Sequence, residues 1–284
     1  MLNDCVKVSD AILSIHNTIY DNPMGLPTGI LSLDRELRGL QPGLTIVAGR
    51  PSMGKSSLMV DVALSVGAKG TALLFSLEMS HKILIERMIS NQANISYTAI
   101  KSNFVSDVQK QKVKDATNEI FRMNIYVDDS SLLTVNQIKE KMDKYTELFS
   151  PDLVIVDYLQ LMAAVTASTR QQEITEICRV LAALAKTYGL PFVVLCQLNR
   201  AVEYRENHRP RLSDLRESGS IEQDADVVLL LHRPGYYTVL ENPLAVDSGQ
   251  AEIIIAKQRN GRTSIVNCTW SPETMSFRDN SEDF

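Results

Sequence analysis

The segment LTIVAGRPSMGKSS runs from an apolar, β-rich stretch at 44–49, through a loop bracketed by glycines, directly into a helical segment at 55–66. A passage from strand to helix within so few residues restricts the chain to folds in which a parallel sheet carries helices on its faces. The rest of the sequence repeats the alternation. ALLFSL (72–77), NIYVDD (124–129), LVIVDY (153–158), FVVLCQ (192–197) and VVLLLH (227–232) read as strands, with helices at 80–93, 105–120, 134–148 and 170–188 between them. The last of these carries an apolar stripe through Ile174, Ile177, Leu181 and Leu184, spaced to share one helical face. AEIIIAK (251–257) and SIVNCTW (264–270) read as a terminal antiparallel pair. The expected fold class is α/β, a mostly parallel central sheet with helices on both faces and a C-terminal antiparallel strand pair.

A chain of 284 residues suits one large domain with a well-buried core. Ahead of it, Val8, Ile12, Ile15 and Ile19 put an apolar stripe on one face of a helix at 6–20, and the following DNPMGLPTG is rich in helix breakers. Residues 1–24 are therefore read as a helix and hinge, and 25–284 as the catalytic domain. The helix either packs on its own domain or swings out to dock on a neighbouring subunit.

A net charge of −5 excludes a protein that coats nucleic acid over its whole surface, because phosphate neutralisation needs clustered Lys and Arg. Any DNA contact must be local. No apolar run reaches membrane-spanning length, and MLNDCVKVSD lacks the basic stretch and apolar core of a secretion signal. A cytoplasmic location without a membrane partner is expected. Cys5, Cys178, Cys196 and Cys268 are scattered with no CxxC pair, and are read as buried apolar fillers.

Gly49, Gly54, Lys55 and Ser56 fit the pattern GxxxxGK[ST] in its required strand–loop–helix setting. The glycines let the loop curl so that backbone amides and the helix amino end face phosphates, Lys55 reaches the β/γ-phosphates of ATP, and the Ser56 hydroxyl ligates Mg²⁺. Arg50, Ser52, Met53 and Ser57 belong to the same nucleotide-binding stretch. Asp157, closing the strand LVIVD, is the expected second metal ligand. Glu78, at the end of ALLFSLE, should emerge at the same sheet edge and orient the attacking water. Gln197, closing FVVLCQ, could sense the γ-phosphate there.

Residues 200–216 hold five Arg against two Glu and one Asp in a stretch that reads as a loop. By composition it is equally a solvated loop or a DNA contact. RESGSIEQDAD (216–226) tips the balance, because Gly219 and its small neighbours let backbone amides approach a phosphate closely. In AKQRNGR (256–262), Lys257 and Arg259 sit two apart on an expected strand end and should point to one side. Such a tip is either a solvated turn or a cation pair for another subunit's nucleotide.

Taken together, GLPTG, AGRPSMGKSS, FSLEMS, VIVDYLQLM, QLNR, RESGSIEQDAD and AKQRNGR resemble, in order and approximate spacing, the DnaB family of replicative helicases, over nearly the whole chain. That resemblance implies a RecA-like P-loop ATPase in a hexameric ring, with ATP at each subunit interface and single-stranded DNA threaded through the centre. It further implies that Lys55 and Ser56 hold phosphate and Mg²⁺, Glu78 activates water, Asp157 is the Walker B acid and Gln197 the sensor. Arg87 matches a family arginine near the nucleotide. Arg216, Glu217 and Gly219 match the loop that holds the DNA backbone, and Lys257 and Arg259 the pair acting in trans. The helix at 6–20 then matches the family's linker helix. Family members carry a helical collar that receives primase and a helicase loader; no collar is expected here, as in an excised C-terminal fragment or a short relative from a phage or mobile element. The alternatives weighed are an ATP-switched assembly or loading factor, and a RecA- or RadA-like recombination ATPase.

Overall fold

The computed structural model describes residues 24–131, 133–162, 170–215 and 219–280. The expected helix at 6–20 and Cys5 lie outside them. The strands are β1 (Gly43–Gly49), β2 (Thr71–Ser76), β3 (Asn124–Asp128), β4 (Leu153–Asp157), β5 (Pro191–Gln197), β6 (Val227–His232), β7 (Gln250–Gln258), β8 (Ser264–Ser271) and β9 (Ser276–Asp279). They form one sheet in the order β3-β2-β4-β5-β1-β6-β7-β8-β9. Pairing is parallel from β3 to β6 and antiparallel from β6 to β9. The expected terminal pair is therefore the middle of a larger antiparallel group, joined to β6 on one side and extended by the short β9 on the other.

The helices are α1 (Leu31–Leu37), α2 (Lys55–Gly67), α3 (His81–Ala93), α4 (Tyr97–Lys101), α5 (Asp107–Phe121), α6 (Val135–Phe149), α7 (Arg170–Tyr188), α8 (Gly219–Asp224) and α9 (Pro234–Glu241). Two of them start where the sequence carries reciprocal caps. Ser106 with Gln109 opens α5 and Thr134 with Gln137 opens α6, each pair satisfying two amides that the helix itself leaves free. Helices α1, α4, α8 and α9 have no counterpart among the expected elements.

Alternation along the central strands divides the core between the two faces of the sheet. Leu44, Ile46 and Ala48 of β1, with Val154 and Val156 of β4, pack against α6 and α7 through Ile138, Met142, Ile177 and Leu181. Val47, Leu153 and Ile155 face the other way, onto Leu58, Met59 and Val62 of α2 and Leu84 and Met88 of α3. Strands buried on both faces read as continuous apolar runs, which is why β1, β4 and β6 stand out in the sequence. The thiols of Cys178, Cys196 and Cys268 are buried, and burial pushes that of Cys268 up to about 12. Among the described residues no helix is long and apolar enough to cross a membrane.

One charged group ties three elements together inside this core. Asp61 of α2 accepts from Asn91 Nδ2 at 2.5 Å and from the Phe277 amide at 2.9 Å, and Arg278 Nη1 lies 3.4 Å away. Burial pushes its carboxyl up to about 6, against these hydrogen bonds, which pull it down. A carboxyl whose pKa is raised on folding holds more protons folded than unfolded, so its contribution to stability is present below its ordinary value of 3.8 and is lost as pH rises to about 6. Asp61→Asn should remove this dependence: melting curves from pH 4 to 7 should show the wild type losing ground to the variant up to about pH 6 and running parallel to it above.

Candidate nucleotide site

Strand β1 is paired in register with β5, Gly49 opposite Gln197, and with β6 as far as Ala48 opposite Leu230. Beyond Gly49 the chain leaves the sheet, turns through residues 50–54 and enters α2. Gly54, the residue before the helix, takes φ 95° and ψ 18°, a left-handed conformation that side-chain-bearing residues resist. No side chain caps α2, and its amino end abuts a cleft of about 570 Å³ lined by Ser52, Gly54, Lys55, Ser56 and Ser57. An uncapped helix amino end with its dipole aimed into a cleft is an anion site.

Lys55 stands in the cleft and donates from Nζ to the Gly49 and Arg50 carbonyls at 3.0 and 3.2 Å. Burial lowers its pKa, opposed by the nearby acids Asp157 and Glu78. Asp157 ends β4 opposite Ser76 of β2 and is 1% exposed. Its peptide bond to Tyr158 is cis. Burial pushes the Asp157 carboxyl up to about 6, and a hydrogen bond from Ser56 together with Lys55 and Arg87 pulls it down. Its Oδ2 is buried with no hydrogen-bond partner among the described residues. A buried anionic oxygen without a donor, beside a serine hydroxyl, is the oxygen-only donor set that Mg²⁺ takes, so these residues fit the metal.

Glu78 follows β2 by two residues and is exposed on the cleft wall, as is Gln197. Arg87 of α3 lies across from them, its guanidinium 5.9 Å from the centre of the Tyr97 ring and its Nε buried without a hydrogen-bond partner among the described residues. The structure thus gathers Ser52, Gly54, Lys55, Ser56, Ser57, Glu78, Arg87 and Gln197 around one cleft, with Asp157 beneath Ser56. Two loop residues point elsewhere. The Met53 side chain is buried in the core, and the Arg50 guanidinium turns away to Glu203 and the Leu198 carbonyl. These two can offer only backbone to a nucleotide.

Lys257 and Arg259 lie at the opposite edge. Lys257 Nζ donates to the carbonyls of Glu222, Gln223 and Ala225 at 2.5, 3.3 and 2.6 Å, a basic group closing the carboxyl end of α8. Arg259 Nη1 pairs with Asp226 Oδ1 at 2.7 Å, and Asp226 Oδ2 accepts the Leu44 amide at the start of β1. Five rises of about 3.3 Å along β1 from Leu44 place this pair roughly 16 Å from the Gly49 end. No arginine in that position reaches its own chain's cleft.

Residues 25–279 match the family described as DnaB-like helicase C terminal domain. The chain belongs to this family. It is 38% identical to the replicative DNA helicase DnaB of Geobacillus stearothermophilus over 277 residues, covering 96% of this chain and 60% of that protein. It is 34% identical to the DnaB of Rickettsia prowazekii (strain Madrid E), covering 96% of this chain and 62% of that one. The chain thus spans about three fifths of the length of these relatives. Among solved structures it resembles one described as an ATPase domain, with a TM-score of 0.90 at 32% identity over 98% of this chain and all of that one. It also resembles a DnaB-like replicative helicase described with its interactions with primase, with a TM-score of 0.89 at 32% identity over 97% of this chain and 69% of that one.

In this DnaB-like domain, Arg216 and Glu217 lie outside the described residues, and Gly219 opens α8. The basic stretch before them is not a free loop. Residues 200–204 and 212–215 form 3₁₀ turns, Arg205 pairs with Asp214, and Arg209 pairs with Glu252. Two residues of the site escape the sequence reading. Arg233, just after β6, donates to the Ser52 carbonyl at 2.8 Å and to Asp247 at 2.6 Å, with its guanidinium 4.6 Å from the centre of the Trp270 ring. Gln160 donates to the Gln197 carbonyl at 3.1 Å and accepts its amide at 3.2 Å, continuing the sheet pattern after β4 has ended. Gln160 lies within VIVDYLQLM, where only Asp157 was assigned a role, and the LHRP that closes β6 is the available signal for Arg233.

A Cβ on Gly54 would lie 2.7 Å from Cζ and 2.8 Å from Cε2 of Phe277, on a backbone already left-handed. Gly54→Ala should therefore destabilise the fold by about 1–3 kcal/mol and weaken binding of a fluorescent ATP analogue at least about tenfold by shifting the loop amides. Thermal melts and titrations on the same preparation check both.

Proposed function

We propose that this chain is the ATP-hydrolysing motor of a hexameric DnaB-type replicative helicase that moves along single-stranded DNA and unwinds duplex. The observation that carries this reading is the placement of the two charged sets at opposite edges of one sheet. The cleft at the carboxyl edge has the groups to hold a nucleotide, and Arg259 at the amino edge can serve only a neighbour's. Packed edge to edge around a ring, each interface would combine one cleft with one Arg259.

The substrate ATP rests its phosphates on the amides of the loop and on Lys55. Ser56 and Asp157 would hold Mg²⁺, which supplies positive charge to the β- and γ-phosphate oxygens. Glu78 orients the attacking water and takes its proton as the water oxygen bonds to the γ-phosphorus. The bond between that phosphorus and the bridging oxygen breaks, and its electron pair leaves with ADP. Lys55 from one subunit and Arg259 from the next offset the charge spread over the transferring group, a trans contribution on the order of 10³–10⁵ in rate. Gln197, fixed by Gln160 in register with Gly49, carries loss of the γ-phosphate to the residues that follow it. Those residues lead to 216–219, where backbone amides and Arg216 would hold the DNA strand. A primase and a helicase loader are the protein partners this function expects, with cytoplasmic DNA as the setting.

Lys55→Ala and Arg259→Ala should each reduce strand-stimulated ATP turnover by on the order of 10³. An equimolar mixture of the two inactive variants should recover part of the activity, because some interfaces then join an intact cleft to an intact Arg259. No recovery in mixed rings of confirmed hexamer mass would count against a shared site. Steady turnover indifferent to single-stranded DNA would favour an ATP-switched assembly factor, and strand exchange without fork unwinding a recombination ATPase.

A further inference from the structure

The guanidinium of Arg50 belongs to the phosphate loop but does not line its cleft. It leaves the loop on the side away from the cleft, is 6% exposed and uses all three nitrogens. Nε and Nη2 donate to one oxygen of Glu203 at 2.8 and 2.6 Å, and Nη1 donates to the Leu198 carbonyl at 2.7 Å. Leu198 returns the contact, its amide donating to the Gly49 carbonyl at 3.3 Å. The phosphate loop and the residue after Gln197 are therefore laced together by hydrogen bonds running in both directions.

What lies beyond Leu198 behaves as one cross-tied piece. Asn199 donates from its amide to the Asp214 carbonyl and caps the 3₁₀ turn Arg200–Tyr204, which carries Glu203. Arg205 binds both oxygens of Asp214 and the Arg209 carbonyl. Asp214 also accepts the Arg211 amide at 2.7 Å. A displacement of Leu198 or Glu203 therefore carries residues 198–215 with it. This piece ends where the proposed strand-gripping residues begin.

We infer that Arg50 and Glu203 form a positioning pair, a strut by which the phosphate loop sets the placement of residues 198–215 and so couples nucleotide state to the grip on DNA. The inference rests on the helicase reading above and adds to it a cis route from a subunit's own ATP to its own strand contacts. Arg50 takes this role because a guanidinium fork can hold a carbonyl and a carboxylate at once with little freedom of orientation. Glu203 is its adjustable end, since its side chain is 43% exposed while that of Arg50 is 7% exposed. Loss of the carboxylate leaves Arg50 on Leu198 and frees the 3₁₀ turn.

The test uses the full chain with Glu203→Ala and Glu203→Gln, and oligothymidine as the strand. Glu203→Ala should keep strand-free ATP turnover and ATP-analogue affinity close to wild type. Its stimulation by oligothymidine, and the tightening of oligothymidine binding caused by a non-hydrolysable ATP analogue, should each fall at least about fivefold. Glu203→Gln, which keeps an acceptor oxygen but not the charge, should lie between. Strand-free turnover falling as far as stimulated turnover in Glu203→Ala would overturn the inference, since the pair would then only support the fold. Unchanged stimulation with an unchanged affinity ratio would overturn it too. A wild type that shows no stimulation at all would overturn the helicase reading along with it, so the two failures are told apart by the wild-type curve.

Discussion

Strand β1 is paired with β5 along its whole length and with β6 from Thr45 to Ala48, and only where those pairings stop can its backbone turn and present amides to a ligand. That constraint places everything else. Pairing with β6 ends at Ala48 and pairing with β5 at Gly49, so the loop can begin only at residue 50. The parallel neighbours end at the same edge and deliver their last residues beside it: Asp157 from β4, Gln197 from β5 and, two residues past β2, Glu78. An apolar sheet buried on both faces leaves its polar chemistry no place but the ends of strands. The opposite ends of β1 and β6 are equally constrained, and there Asp226 holds Leu44 on one oxygen and Arg259 on the other.

The loop at residues 50–54 is gripped from two directions by arginines of opposite logic. Arg233 reaches in from β6 to the Ser52 carbonyl, sandwiched near Trp270 and Tyr236 and anchored by Asp247. Arg50 reaches out from the loop to Leu198 and Glu203. A phosphate cradle gains affinity when its amides are held in place before the ligand arrives. Arg233 supplies that fixation against the antiparallel end of the sheet, while Arg50 binds the loop to the chain that continues toward the proposed strand-gripping residues. Aromatic rings complete the support: Phe277 and Trp270 lie where a side chain on Gly54 would have to go.

Features whose cause is local were legible in the sequence. The strand runs and the loop glycines each act within a few residues, so pattern and spacing suffice to place them. Asp157, Glu78 and Gln197 were legible for a second reason, since strand order forces their ends to one edge. Features that depend on long-range meetings were not. Arg233 is an arginine before a proline until β8 brings Trp270 over it, and Gln160 is a polar residue after a strand until β5 lies alongside. Asp61 lies in a helical segment with nothing local to mark it, and Asn91 and Phe277 enclose it only in the fold. Motif matching also cannot tell which way a loop side chain leaves: Arg50 and Met53 occupy motif positions, yet one reaches toward the 3₁₀ turn and the other into the core. The strand β9 is four residues long and carries too little alternation to be read alone.

Lys257 and Arg259 share one side of the β7 end but not one situation. Lys257 closes three carbonyls at the end of α8, where a lysine charge also offsets the helix dipole, so moving it to a neighbour's phosphate must uncover those carbonyls. Arg259 is held by a half-exposed ion pair with Asp226, the weaker restraint in water, and can exchange one anion for another at little cost. Of the pair, Arg259 is therefore the group suited to come and go with each nucleotide. Lys257 is suited to report that exchange, because the helix it closes begins at Gly219. In the proposed ring a neighbour's ATP would then act on the proposed strand-gripping residues from their carboxyl side through α8, while a subunit's own ATP would act from their amino side through Arg50. In the sequence residues 216–219 fall between these two ties, so the proposed grip would answer to both nucleotides.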